Sequence, residues 1–68
     1  MAQPIRIDDF DGSSNESWSD AARNAISQTA GMADSIQGVD VLSQSAAVEN
    51  NEITEFRTTV RVAYVPSS

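Results

Sequence analysis

The clearest pattern in the chain is a regular alternation of two kinds of residue near its carboxyl end. One set of alternate positions is apolar or carries a threonine methyl group: Phe56, Thr58, Val60, Val62 and Tyr64. The positions between them are polar: Glu55, Arg57, Thr59 and Arg61. A period of two is typical of a β-strand with one face on a core and the other against polar surroundings. The pattern predicts a strand over residues 52–65, which Pro66 ends.

A second strand and a hairpin turn precede this segment. The apolar residues Ile36, Val39, Val41 and Leu42 predict a strand over residues 36–48. Between the two strands lies Glu49-Asn50-Asn51-Glu52, and asparagine tolerates the positive φ of a tight hairpin turn. Gly38 lies near the start of the second strand, where a glycine marks a bulge or a place of close approach to the backbone.

The amino-terminal half predicts a strand followed by a helix. Ile5 and Ile7 alternate with polar residues and predict a strand over residues 3–10, ended by a turn at Asp11-Gly12. The helix is predicted over residues 14–30, with Ser13 and Glu16 as a capping box and Gly31 as its C-cap. Its apolar stripe recurs at spacings of three and four: Trp18, Ala22, Ala25, Thr29 and Met32, with Ala21 and Ile26 alongside.

The predicted order of elements is β-α-β-β, an α+β fold in which a three-stranded antiparallel sheet partly wraps around one helix. The 68 residues form one domain over residues 1–68, with its core at about residues 3–65. A chain this short buries little of its surface when folded alone. It contains no cysteine or histidine for a disulfide or a zinc site. Self-association is the remaining means of stabilisation, and we expect a homo-oligomer.

The charge balance narrows the classes of partner. Ten acidic residues stand against four arginines, with no lysine and a net charge of −6. This disfavours nucleic acid and anionic membrane surfaces, both of which attract basic proteins. No apolar run approaches the length of a membrane span, and the amino terminus lacks the apolar core of a signal peptide. These features lead us to expect a cytoplasmic protein.

Little in the chain suggests catalysis. Histidine, cysteine and lysine, the common bases and nucleophiles, are all absent. Asp40 and Glu55 would do acid–base work only if the fold brought them together. The carboxylates of Asp8, Asp9 and Asp11 would suit a hard cation, although an acidic turn before a helix explains them as well. We therefore expect a protein that is not an enzyme.

Three further side chains have two interpretations each. Trp18 would stack on a ligand, or it would pack in the core as the first residue of the helix stripe. Arg57 and Arg61 would grip a phosphate or carboxylate, or they would form salt bridges between subunits with Glu55 or Asp40.

Two segments resemble the dodecins, a family of small flavin-binding dodecameric proteins. "GSSNESWSDAARNAI" is similar to the turn and alanine-rich helix start of dodecins, and "VENNEITEFRTTVRVAYV" is similar to their last hairpin. The similarity spans about residues 5–65 with the same order of elements. It implies a hollow homododecamer that holds riboflavin, FMN or a related flavin in pairs between subunits, without turnover.

The resemblance also places the flavin-binding positions of the family on this chain. Gly38, next to Gln37, falls where flavin-binding dodecins carry a tryptophan that stacks on the isoalloxazine ring. Arg57 falls at a glutamine that contacts the flavin. Loss of the stacking ring removes roughly 0.5–1.5 kcal/mol of aromatic interaction and more from lost burial, which weakens flavin binding. The chain looks closer to a branch of the family that lacks the tryptophan.

Four hypotheses follow. The first is a dodecin-like hollow oligomer that binds, stores or sequesters a small molecule, with flavin as the family's cofactor. The second is a purely structural assembly whose former flavin pocket is closed by the protein's own side chains, with Gly38, Gln37 and Arg57 in structural roles. The third is an enzyme that uses Asp40 and Glu55. The fourth is a cage that holds cations through aspartate and glutamate oxygens on its symmetry axes.

Overall fold

The computed structural model describes residues 4–67. Its elements are β1 (Arg6–Ser14), α1 (Trp18–Ser27), β2 (Ala33–Glu49) and β3 (Glu52–Pro66). The strands form one antiparallel sheet in the order β1-β3-β2, so β3 is central. This confirms the predicted α+β class and the β-α-β-β order. The predicted strand over residues 3–10 begins at a residue outside the described range.

The hairpin between β2 and β3 follows the prediction closely. Asn50 and Asn51 have φ of 52° and 65°, the paired positive values that a tight two-residue turn requires. The register of β2 on β3 shifts between Ile36 and Gly38, where Gln37 is the extra residue. Gly38 therefore lies at a bulge, one of the two explanations that its place in a strand suggested.

The predicted turn at Asp11-Gly12 is wrong, because β1 continues through both residues to Ser14. Asp11 pairs with Thr59 and Gly12 pairs with Thr58. Gly12 is buried, and a Cβ there would lie 2.5 Å from the backbone nitrogen of Ala25 in α1. The glycine allows the helix to approach the strand closely, whereas an Asp-Gly pair in sequence suggests a turn.

The helix is shorter than predicted at both ends. Ser17 is its N-cap, and the Ser17 hydroxyl accepts a hydrogen bond from Asp20 N at 3.0 Å. The capping box of Ser13 and Glu16 is therefore wrong, since Ser13 still belongs to β1. Gln28 is the C-cap, and Gly31, with φ of 87°, lies in the following turn instead of capping the helix.

The core lies between α1 and one face of β1 and β3. Its fully buried side chains are those of the alternating set on β3 together with two alanines of the helix: Val60, Val62, Tyr64, Ala21 and Ala25. The buried hydroxyls are satisfied, because Thr58 donates to the carbonyl of Trp18 and Thr29 to that of Ile26. The alternation on β3 thus predicted the buried face correctly, with Phe56 half-buried at its end.

On the side of the sheet where α1 packs, the helix does not cover β2. α1 packs on β1 and β3. Ile36, Val39 and Val41 lie opposite Tyr64, Val62 and Val60, and so share the helix-bearing side. They are 43%, 37% and 55% exposed. We call these three residues the uncovered strip.

Within residues 4–67, no helix has the length and apolar character needed to cross a membrane.

Candidate functional site

The polar face of the sheet, opposite the helix, carries two arginines of β3 in different surroundings. Arg61 donates from Nε to Asp9 Oδ1 at 2.9 Å and from Nη2 to Asp9 Oδ2 at 3.3 Å. This hydrogen bond, and then the negative charge of Asp9, raise the pKa of the Arg61 guanidinium above its ordinary value. Both oxygens of Asp9 are occupied, so this pair is a closed structural contact between β1 and β3.

Arg57 lies in an open cleft. Its Nε contacts Glu55 Oε1 at 2.5 Å, and both side chains remain largely exposed. The predicted pairing with Glu55 thus occurs within one chain. Around this pair is a cavity of about 380 Å³ on the polar face. We call it the Arg57 cleft, and it is lined by Asp11, Gly12, Ser13, Ser45, Glu55, Arg57, Thr58 and Thr59.

Hydroxyl groups and a second carboxylate complete the cleft. Thr59 Oγ1 donates to Asp11 Oδ1 at 2.6 Å. Ser13 and Ser45 lie on either side of Arg57, since both are its partners in the strand register. Sequence reasoning missed these two serines as site residues. The alternation on β3 identifies the face, but only the register of β1 and β2 places the serines beside Arg57.

Gly38 and Gln37 do not lie near Arg57 in one chain. Gly38 is opposite Ala63, six positions further along β3 than Arg57, which is roughly 20 Å away at 3.3 Å per residue. The Gln37 side chain donates to Ser35 Oγ at 2.9 Å. A Cβ at Gly38 would meet no described atom within 4 Å. A pocket that used all three positions would need more than one chain.

The three aspartates proposed for a cation do not converge. Asp8 faces the helix-bearing side and accepts a hydrogen bond from Tyr64 Oη at 2.6 Å, whereas Asp9 and Asp11 pair with residues on the polar face. The bond to Asp8, and then burial, raise the pKa of Tyr64. Among the described residues, no group of three or more carboxylates could hold a metal ion.

The carboxylates considered for acid–base catalysis are also apart. Asp40 is opposite Arg61 and Glu55 is opposite Ala47. The two positions on β3, Glu55 and Arg61, are six residues apart, so the carboxylates are separated by roughly 20 Å along the sheet. The structure does not form the pair that a catalytic role requires.

Trp18 partly fits both of its interpretations, packing within the chain and stacking on a ligand. Its ring meets Phe56 edge-on, with centroids 4.7 Å apart and planes at 73°. Its Nε1 donates to the carbonyl of Ser45 at 3.1 Å, and the residue is 37% exposed. Trp18 therefore links α1 to β2, and its indole face is partly accessible.

Comparison with known proteins gives one consistent result. The model of the Dodecin family matches residues 5–66. The dodecin of Streptomyces davaonensis is similar in structure, with a TM-score of 0.86 and 19% identity over 100% of both chains. The dodecin of Streptomyces coelicolor has a TM-score of 0.84 and 14% identity, over 97% of this chain and 94% of that one.

A third similar structure is described as calcium-binding. It is the calcium-chelating immunodominant antigen calcium dodecin of Mycobacterium tuberculosis, which has a TM-score of 0.77 and 27% identity. The match covers 91% of this chain and 89% of that one. No curated protein shows significant sequence similarity to this chain.

Proposed function

This chain belongs to the dodecin family, and from that membership we propose that it assembles as a hollow homododecamer that binds and stores a small molecule without turnover. The observation that carries the proposal is the uncovered strip on β2. Ile36, Val39 and Val41 are apolar, adjacent and exposed in the single chain, although they lie on the same side of the sheet as the core. A contiguous apolar surface of this kind favours burial against other copies.

A flavin is the cofactor that family membership favours, and this chain holds it weakly under our proposal. Gly38 offers no ring at the position of the stacking tryptophan, and Arg57 stands at the position of the glutamine. Removing one stacked and buried aromatic side chain costs roughly 2–4 kcal/mol, which corresponds to a loss of affinity of about 30-fold to 800-fold.

The positions themselves agree with a site between subunits. Gly38 and Gln37 are roughly 20 Å from Arg57 in one chain, so a flavin could touch all three only where chains meet. The space beside Gly38 is open in the single chain. A neighbouring chain or a ligand is therefore free to occupy it.

A purely structural assembly is the second candidate. It is favoured by the contact between Arg57 and Glu55, which already engages the guanidinium within the chain. A cation-holding cage has less support, despite the calcium named for the Mycobacterium tuberculosis relative, because residues 4–67 contain no cluster of three carboxylates.

Native mass spectrometry of the purified chain, alone and with riboflavin or FMN, tests the proposal. We expect a mass of twelve chains that takes up flavin only at high ligand concentration. A twelve-chain mass that never takes up flavin or any other small molecule would favour the structural assembly. A monomer would contradict the assembly itself.

A further inference from the structure

The Arg57 cleft contains opposite charges whose hydrogen-bonding capacity is only partly used. Among the described residues, the side chain of Arg57 makes a single hydrogen bond, from Nε to Glu55. Its Nη1 and Nη2 groups are thus left to donate. Arg61 on the same strand differs, because it engages both oxygens of Asp9. Of the two arginines of this face, Arg57 keeps both Nη groups for a ligand, whereas Arg61 already holds a carboxylate through Nε and Nη2.

The carboxylates of the cleft also keep free acceptors. Asp11 accepts one hydrogen bond, at Oδ1, from Thr59, and Glu55 contacts Arg57 through Oε1 alone. A carboxylate accepts at two oxygens. Asp11 Oδ2 and Glu55 Oε2 therefore have no partner within the part of the chain that the structure describes.

The net charge of the cleft indicates the charge of its ligand. Asp11 and Glu55 contribute two negative charges and Arg57 one positive charge, so the lining is negative by one unit. This disfavours a simple anion such as phosphate, in spite of the arginine. A ligand with both a carboxylate and an ammonium group satisfies the two kinds of free group at once.

The geometry agrees with a small ligand of this kind. Asp11 lies opposite Thr59 and Ser13 lies opposite Arg57, so Asp11 and Arg57 are diagonal neighbours. Their Cα atoms are roughly 7–8 Å apart. The cavity volume of about 380 Å³ is in the range of small-molecule sites. Its lining includes no aromatic side chain and several hydroxyl groups, which suits a compact polar ligand better than a flat ring.

We propose that the Arg57 cleft binds a small zwitterion of the amino-acid type, whose carboxylate contacts the free Nη groups of Arg57 and whose ammonium group contacts Asp11 and Glu55. The inference rests on the proposed function in one respect, since both give the chain a small-molecule ligand. It names a ligand class for the Arg57 side of the positions that the family resemblance assigns to flavin, using groups that lie within one chain.

The test is isothermal titration calorimetry of the assembled protein with L-alanine and its two half-molecules. Propionate lacks the ammonium group and ethylammonium lacks the carboxylate. We expect saturable binding of L-alanine with a dissociation constant on the order of 1 mM, typical for so small a ligand. Each half-molecule should bind at least about tenfold more weakly, because it satisfies one kind of group only.

Variants locate the binding in the cleft. Arg57→Gln should abolish saturable binding, and Asp11→Asn should weaken it about tenfold. Arg61→Gln is the matched control, since it removes an arginine from the same face of the same strand. The affinity of this variant for L-alanine should stay within about twofold of that of the native chain. Loss of binding in Arg61→Gln but not in Arg57→Gln would overturn the proposal.

Two other results also overturn it. If propionate binds as tightly as L-alanine, the cleft is an anion site. If a titration to roughly 10 mM L-alanine gives no saturable heat, the cleft does not bind this class of ligand. Native mass spectrometry of the same samples separates this failure from that of the proposed function. A twelve-chain protein that ignores L-alanine refutes the zwitterion site alone, whereas a monomer refutes the assembly whatever L-alanine does.

Discussion

At the scale of single residues, two glycines in β-strands have opposite surroundings. Gly12 is buried under the helix, so a Cβ there would collide with helix backbone. Gly38 lies at a bulge, where a Cβ would meet no described atom within 4 Å. The first glycine is required for packing inside the chain. The second leaves an open space at the position where the family resemblance places an aromatic ring.

We predict that Gly38→Trp increases flavin affinity. The chain itself offers no steric obstacle to the ring, and stacking with burial contributes roughly 2–4 kcal/mol, or about 30-fold to 800-fold in affinity. Titration of riboflavin fluorescence, which a stacked indole quenches, measures the gain. Val48→Trp is the control, since it adds the same ring at an exposed position ten residues further along β2, and we expect it to leave the affinity unchanged. An equal gain in both variants would mean that the added ring binds flavin without a specific stacking position.

A second residue-scale prediction concerns Tyr64, the only tyrosine of the chain. Its hydroxyl donates to Asp8, which raises the pKa of Tyr64 above its ordinary value of about 10. The bond therefore stabilises the fold at pH values below about 10, and this contribution is lost as the pH rises through the higher pKa of the folded state.

Ultraviolet absorbance of tyrosinate follows this ionisation directly. We expect a midpoint above pH 10 for the native chain and a lower midpoint for Asp8→Asn, because a neutral amide favours the phenol less than a carboxylate does. Asp9→Asn is the control, since Asp9 pairs with Arg61 on the other face. An equal midpoint in the native chain and in Asp8→Asn would contradict the assignment of the shift to this bond.

At the scale of elements, the segments that local patterns define were predicted well. The alternation on β3 gave its length and buried face, and the two asparagines gave the hairpin. The start of α1 was wrong because the run Gly12-Ser13-Ser14-Asn15-Glu16-Ser17 offers several caps. Tertiary packing selects Ser17, since β1 must extend to Ser14 for Gly12 to lie beneath the helix.

In the candidate site too, local sequence patterns predict some features and tertiary structure decides the others. The alternation on β3 placed Arg57 on the polar face, and the structure confirms that position. The serines on either side of it depend on strand register, and the register of β2 shifts at four points. Bulges of this kind leave no clear signal in the sequence, so the lining of the Arg57 cleft could not be predicted from it.

At this scale we predict that Gly12→Ala destabilises the chain. The added methyl group would force α1 away from β1, and such overpacking costs roughly 1–3 kcal/mol. The midpoint of urea-induced unfolding measures the loss, at a fixed protein concentration because assembly contributes to stability. Gly38→Ala is the control, and its midpoint should change little. If both variants unfold at the same concentration of urea as the native chain, the close approach of the helix is refuted.

At the scale of the whole molecule, the sheet is longer than the helix can cover. The chain extends 55 Å along its longest axis, while α1 has ten residues, a length of about 15 Å. The net charge of −6 keeps the remaining surface soluble and disfavours random association. Apolar side chains are exposed at several places, among them Ile7, Val48 and Ile53. The uncovered strip differs from these in combining three β-branched apolar side chains directly beside the buried residues of β3.

The last prediction tests whether the uncovered strip carries the assembly. Val41 is 55% exposed in the single chain, so Val41→Asp costs the isolated fold little. In an assembly that buries this position, the same change places an unpaired carboxylate in an apolar contact, which is strongly unfavourable. We therefore expect native mass spectrometry of Val41→Asp to show chains of lower oligomeric state, with the secondary structure retained by circular dichroism. Ser43→Asp introduces the same charge beside Thr59 on β3, on the polar face, and should keep the twelve-chain mass. A twelve-chain Val41→Asp would mean that the strip faces solvent in the assembly, and that other surfaces hold the subunits together.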